Sequence, residues 1–488
     1  MTASTIALGP EPHTGSGPGA TAETPLLRDL IQRAARDDYD QWLSDAMATG
    51  GCTHPVRLQG EIAHVAPTGE LIDVHQTNDH PDGILYTSCG NRREAVCPAC
   101  SQVYKRDAYH LIRSGLAGGK GVPDTVSQHP AVFATLTAPS YGLVHTRRTA
   151  KSGKQVPCRP RRNREYCRHG REISCARIHR EDERCLGRPL CPECYDYAAA
   201  VAWNAHAPEL WRRTMITLRR ILDRRAKQLG VKVVVRYAKV AEFQARGLVH
   251  FHALIRLDGH DPDDAIIPPP PEITPDDLKD ALQQAVHNTW FATLDHPRKP
   301  GGWDITWGDQ LDIRHVQLSG DGEITDGHVA SYLAKYATKS TEAVGAVSRR
   351  ITENNLDIYA PPHTHLGRLI RAAWTLGDHP HDDFKALRRW AHMLGFRGHF
   401  TTKSRRYSTT FKVLRAARQT WRRRQHRTAE TFDELDTTLI VGLLTYAGTG
   451  WRTQADALLA VTAAAKAREY AAVARDEIAS MVTSAEGR

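Results

Sequence analysis

The sequence predicts an α+β protein built around an antiparallel sheet. Its elements should run in the βαββαβ order of ferredoxin-like and RRM-like folds. Three observations carry this reading. Two adjoining stretches, Val231–Phe243 and Gln244–Gly259, read as a strand hairpin, with Ala245, Arg246 and Gly247 at the turn. Strongly periodic helical stretches separate that hairpin from two further alternating strands. Cysteines cluster in CxxC spacing outside these elements, which adds cysteine-rich zinc modules to the sheet.

Residues 1–48 form the first region. The opening 24 residues are rich in Gly, Pro, Thr and Ala, and Leu26–Met47 carries helical spacing. Residues 49–128 are expected to form a zinc-binding module. Cys97 and Cys100 make a CxxC knuckle, Cys89 lies just upstream, and Cys52 is the chosen fourth ligand with His110 as alternative.

The sheet domain is expected over 129–345, opening with the strand Val132–Thr137. A second zinc insertion interrupts it at about 150–197. From Arg147 to Arg171 the chain carries ten Lys and Arg against one Glu, which suits a solvated loop or a phosphate-binding arm equally. Cys191 and Cys194 form the clearest CxxC. Cys167 and Cys175 are chosen to complete the four, against Cys158, Cys185, His169 and His179. Four protein ligands would close each site, so both zincs are read as structural.

The helix Tyr197–Leu229 follows, then the hairpin. Thr274, Pro275, Asp276 and Asp277 open another helix with a cap, a first-turn proline and acidic residues. Leu311–Ser319 alternates as a strand, and Thr325–Ser340 reads as a short helix. Residues 346–430 are a basic extension with Lys403, Arg405 and Arg406 as DNA contacts. Its Phe396, Phe400, Tyr407 and Phe411 suit either base stacking or a core. Residues 431–488 are expected to be helical.

Candidate chemistry sits at the hairpin. His250 and His252 flank Phe251, so on a strand both imidazoles share one face. Such a pair can close on one divalent cation, with Glu242 on the paired strand as third ligand. Tyr332 and Tyr336 share a helix face, with Lys335 and Lys339 in a parallel i, i+4 row. Beside a metal site, a tyrosine oxygen is a nucleophile for phosphoryl transfer and a lysine steadies the charge.

The triplet His250-Phe251-His252 followed by YLAKYATK, with VFATLTAPSYG (Val132–Gly142) ahead of both, resembles the HUH endonucleases. The nearest likeness is to rolling-circle replication initiators of actinomycete plasmids and integrative elements, over about Cys52–Tyr407. The resemblance implies an HUH-type sheet with the histidines on an inner strand and a packed tyrosine helix. It implies Mg²⁺ or Mn²⁺ at the histidines and nicking of single-stranded or unwound origin DNA. The product is a 5′-phosphotyrosyl bond, with Tyr336 ranked ahead of Tyr332. A paired-tyrosine HUH transposase and a non-catalytic zinc-stabilised regulator are the alternatives.

Composition agrees with a polyanionic partner: 488 residues, a formal charge of +10, a pI of about 9.1 and 41% hydrophobic residues. No secretory signal or membrane span is expected. Ten cysteines without a disulfide-like framework suggest a reducing cytoplasm. The expected partners are DNA and, further, a host helicase, without a membrane.

Overall fold

A computed structural model describes residues 24–66, 68–316, 326–338, 349–425 and 439–486. The chain divides into two compact units, one of residues 1–89 with 437–488 and one of residues 90–436.

In the first unit, Val56–Val65 is a central strand paired antiparallel with Leu71–Gln76, Leu85–Thr87 and Leu439–Thr449. The last strand corrects the helical reading of the C-terminal region, because among the described residues there only Gln454–Glu486 is a helix. A short apolar run such as LIVGLLT does not distinguish strand from helix by periodicity. Here the decisive partner is remote: Thr445 Oγ1 donates to the Gln59 carbonyl, 386 residues away. Leu26–Met47 likewise forms two helices, Pro25–Ala34 and Tyr39–Ala48, rather than one. Arg33 anchors the first by pairing with Asp82 and Asp456, both at 2.7 Å and all nearly buried.

The second unit is built on a five-stranded sheet. Its elements are β1 (Ala131–Leu136), α1 (Tyr197–Gln228), β2 (Val233–Phe243), β3 (Val249–Gly259), α2 (Pro275–Asn288), β4 (Leu311–His315) and α3 (Asp326–Ala337), with β5 (Thr401–Lys403) at an edge. The spatial order is β4-β1-β3-β2-β5, and every neighbouring pair is antiparallel. The strand-helix-strand-strand-helix-strand order read from periodicity is the order observed, with short two-residue ribbons interposed. The predicted strand Leu311–Ser319 is described only through Val316, and its last three positions lie outside the described residues.

Each face of the sheet has its own core. On one, α1 packs Trp211 against Phe251 and Tyr237, with ring centroids 6.1 and 5.3 Å apart. On the other, α3 buries Val329, Ala330, Leu333, Ala334 and Ala337 beside Phe133, Val240 and Leu254. Tyr407 fills this second core, donating to the Ile112 carbonyl at 3.1 Å, and Phe396 and Phe400 belong to the first. Phe411 stacks on Tyr104 at 4.9 Å. Core packing is therefore what these four aromatics do.

Candidate metal centre and tyrosine pair

The hairpin is held from three sides. Asn204 of α1 donates to the Gly247 and Leu394 carbonyls, and its own oxygen accepts from Val249 N–H. Arg246 at the turn donates to the Ala138 and Pro139 carbonyls just past β1. Gly247 has φ +76°, and a Cβ there would meet Leu369 at 2.4 Å. The turn thus needs glycine for both backbone and space.

This rigid register places Glu242 opposite His250 and Val240 opposite His252. His250 Nε2 lies 3.1 Å from Glu242 Oε2, and His252 Nε2 lies 3.3 Å from the same oxygen. A divalent cation bound at about 2.1 Å in octahedral geometry sets adjacent donors about 3.0 Å apart. The three groups therefore fit one cation. His252 Nδ1 is 3.1 Å from Thr135 Oγ1 on β1, an outer contact that fixes the imidazole orientation. Burial raises the Glu242 carboxyl, but hydrogen bonds from the two histidines outweigh it and hold the group at about 2. Burial lowers His252, which favours the neutral imidazole that a metal ligand needs.

Both tyrosines of α3 reach this face. The His252 ring lies 5.1 Å edge-on from Tyr332 and 5.3 Å stacked on Tyr336, whose rings are 4.6 Å apart. Tyr332 is 41% exposed while Tyr336 is half-buried, so the pair opens to solvent on one side. Desolvation raises both hydroxyls; their mutual hydrogen bond lowers Tyr332 and raises Tyr336. Exposed Lys335 holds its ammonium 5.8 Å from the Tyr336 ring centre. Lys339 lies outside the described residues.

The proposed DNA contacts divide. Lys403 is spent internally, donating to the Arg405 and Ser408 carbonyls at 3.1 and 3.0 Å. Exposed Arg406 pairs with Asp264 at 3.2 Å, and Arg405 is exposed.

Cysteine placement differs from the expected sets. Cys167, Cys191 and Cys194 converge, but their fourth partner is His169, whose Nδ1 lies 3.2 Å from Cys194 and 3.6 Å from Cys191. Cys175 sits elsewhere, because its backbone pairs with Arg159 and so aligns it with Cys158. The CxH spacing of Cys167 and His169 was the available signal for that ligand. Desolvation pushes the Cys167 thiol up, but the amide N–H groups of His169 and Arg171 outweigh it, giving about 6. That favours the thiolate a metal needs.

Cys52 and Cys89 belong to the first unit, where Cys89 N–H donates to Cys52 Sγ at 3.3 Å. Cys97 caps the helix Pro98–Ala117 in the second unit, with Cys100 in its first turn. His110, the alternative ligand, lies about 15 Å further along the same helix axis than Cys100, too far to share an ion with it. None of the ten cysteines is in a disulfide.

The chain matches the family described as "Replication initiator protein, pSAM2" (RepSA) over residues 38–465. The chain belongs to this family of replication initiators. It is also 41% identical over 477 residues to a replication initiator protein of Streptomyces ambofaciens, covering 94% of this chain and 97% of that one. No solved structure matches it. An initiator's partner is DNA, which suits the basic composition. No described helix is long and apolar enough to cross a membrane.

Proposed function

We propose that this initiator is an HUH-type endonuclease and strand transferase that nicks and rejoins its origin DNA for rolling-circle replication. The observation that carries the reading is the convergence of two histidines, one carboxylate and two tyrosines on a single sheet face. Glu242, His250 and His252 would hold Mg²⁺ or Mn²⁺, which supplies Lewis-acid polarisation of the scissile phosphate. Imidazole-rich coordination leans toward Mn²⁺, while abundance favours Mg²⁺.

Tyr336 Oη attacks phosphorus, and its proton passes to solvent. The new O–P bond forms as the P–O3′ bond breaks, and the 3′ oxygen takes up a proton. DNA is then joined to Tyr336 through its 5′ phosphate, the polarity the family resemblance implies. Tyr332 donates to or accepts from Tyr336 and acts as second nucleophile for strand closure. Lys335 and Lys339 contact phosphate. Attack by the 3′-hydroxyl on the phosphotyrosyl phosphorus reverses the step and rejoins the strand.

Two structural zincs belong to this reading, one at Cys52, Cys89, Cys97 and Cys100 on sequence spacing, and one at Cys167, His169, Cys191 and Cys194. A reducing cytoplasm belongs to this reading, and ten cysteines outside any disulfide suit it. The test is incubation with supercoiled DNA carrying the chain's own locus, with Mn²⁺, Mg²⁺ or chelator. Relaxed circles with protein on a 5′ end support the proposal. Binding without nicking in either metal, on single-stranded substrate as well, refutes it.

A further inference from the structure

The cysteine-rich insertion contains a second four-ligand cluster that neither the nicking chemistry nor the cysteine knuckles account for. It consists of His145, Cys158, Cys175 and His179, whose ligand atoms all lie within 4.8 Å of one another. The two cysteines and His179 are buried, and His145 is partly so. We propose that these four residues bind a further zinc ion, separate from the one at Cys167, His169, Cys191 and Cys194.

Distances support a metal over a hydrogen-bond network. Tetrahedral zinc, with Zn–N of about 2.0–2.1 Å and Zn–S of about 2.3 Å, sets paired nitrogens about 3.3 Å apart and sulfur–nitrogen pairs about 3.5 Å apart. His145 Nδ1 lies 3.2 Å from His179 Nε2, and Cys175 Sγ lies 3.4 Å from that same nitrogen. The rings of the two histidines stand at 88° to each other, so they do not stack. His179 Nδ1 is 2.8 Å from the Glu183 carboxylate, to which it donates. That tautomer leaves Nε2 with one lone pair, faced by two groups. One lone pair does not satisfy two donors in a buried site, whereas it is what a metal ligand requires.

The outer contacts also fit. Thr146 N–H points at Cys158 Sγ from 3.1 Å, a donor suited to a thiolate. The carboxylate–imidazole contact from Glu183 is the usual brace behind a zinc-bound histidine. Cys185 lies on the other side of His179, 3.5 Å from Nδ1. With Glu183 it would make a three-ligand set. A structural zinc takes four ligands, and only the Nε2 side supplies them.

The ligands come from separate stretches that the backbone has already brought together. His145 exchanges hydrogen bonds with Arg188 and Gly187, and Arg159, next to Cys158, exchanges two with Cys175. A metal here would staple the start of the insertion to its middle. It would also fix Arg159, whose Nε donates to the Val144 carbonyl at the edge of a cavity of about 630 Å³ shared with Arg147 and Arg246.

Anomalous diffraction from crystals of the full chain, recorded on both sides of the zinc absorption edge, tests this without a variant. The expected result is a peak between His145 Nδ1, Cys158 Sγ, Cys175 Sγ and His179 Nε2, distinct from one at Cys167, His169, Cys191 and Cys194. Absence of that peak, whether or not the neighbouring group is occupied, overturns the proposal. In solution, His145→Ala combined with His179→Ala should lower bound zinc by one ion per chain. An unchanged zinc content in that variant would also overturn it.

Discussion

The sheet-borne centre and the loop-borne cysteine clusters solve the same problem, convergence of ligands, by different means. On β2 and β3 the period of two and the hairpin register do the work, so Glu242, His250 and His252 meet on one face. In the insertion no regular period exists, and turns plus isolated bridges decide which thiol meets which imidazole. Regular structure makes a site that persists without its metal. Irregular structure should make one that depends on its metal, as small metal-dependent folds do.

The largest expected effect separates the two. A strong chelator should open the insertion, seen as new protease cleavage between residues 145 and 197, while the sheet core stays protected in hydrogen exchange. Zinc binding can contribute roughly 10 kcal/mol or more to small metal-dependent folds. Equal protection of both regions after zinc removal would break the comparison.

Next in size, His250→Ala with His252→Ala should lower metal-dependent nicking by about 10³-fold or more, since Lewis-acid stabilisation supplies several kcal/mol. Its thermal unfolding should stay near that of the wild type. Collapse of the fold in this variant would show that the centre is not independent of its ligands.

Thr135→Val removes only the contact behind His252. Manganese affinity, measured calorimetrically, should weaken about 10- to 100-fold, as for other outer contacts to metal-bound histidines. An unchanged affinity would mean that strand register alone orients the ring.

The smallest effect concerns Lys239, buried on the opposite sheet face over Phe251 and Trp211, with burial lowering its ammonium to about 7. Its folded value lies below the unfolded 10.5, so the charged form destabilises the fold. That cost is fully present below pH 7 and fades as pH rises toward 10.5. Lys239→Met should therefore stabilise by about 2 kcal/mol at pH 6, with the gain shrinking by pH 10 in denaturant titrations.

Legibility in the sequence followed the same division. The order of strands and helices, the shared face of His250 and His252, and the reach of Glu242 were readable because period and turn signals are local. The tyrosine helix was readable as a helix, although its apolar stripe suited a core equally. Val329 and Leu333 do form that core, while Tyr332 and Tyr336 turn to the histidines. The strand Leu439–Thr449 was not readable, because its partner lies at the other end of the chain. Assignment of Cys175 failed for a related reason: spacing reports distance along the chain, while the bridge between Arg159 and Cys175 decides its neighbours. The carbonyls of Arg405 and Ser408 that receive the Lys403 ammonium were not readable, because such a turn leaves no mark in composition.

The most direct test of the central claim is mass spectrometry of the covalent complex formed on a single-stranded origin oligonucleotide with Mn²⁺, using wild type, Tyr336→Phe and Tyr332→Phe proteins. The expected result is a 5′-phosphate adduct on Tyr336 that Tyr336→Phe loses and Tyr332→Phe keeps, with DNA binding intact in all three. An adduct that survives in Tyr336→Phe, or no adduct on DNA that the wild type binds, would contradict the account.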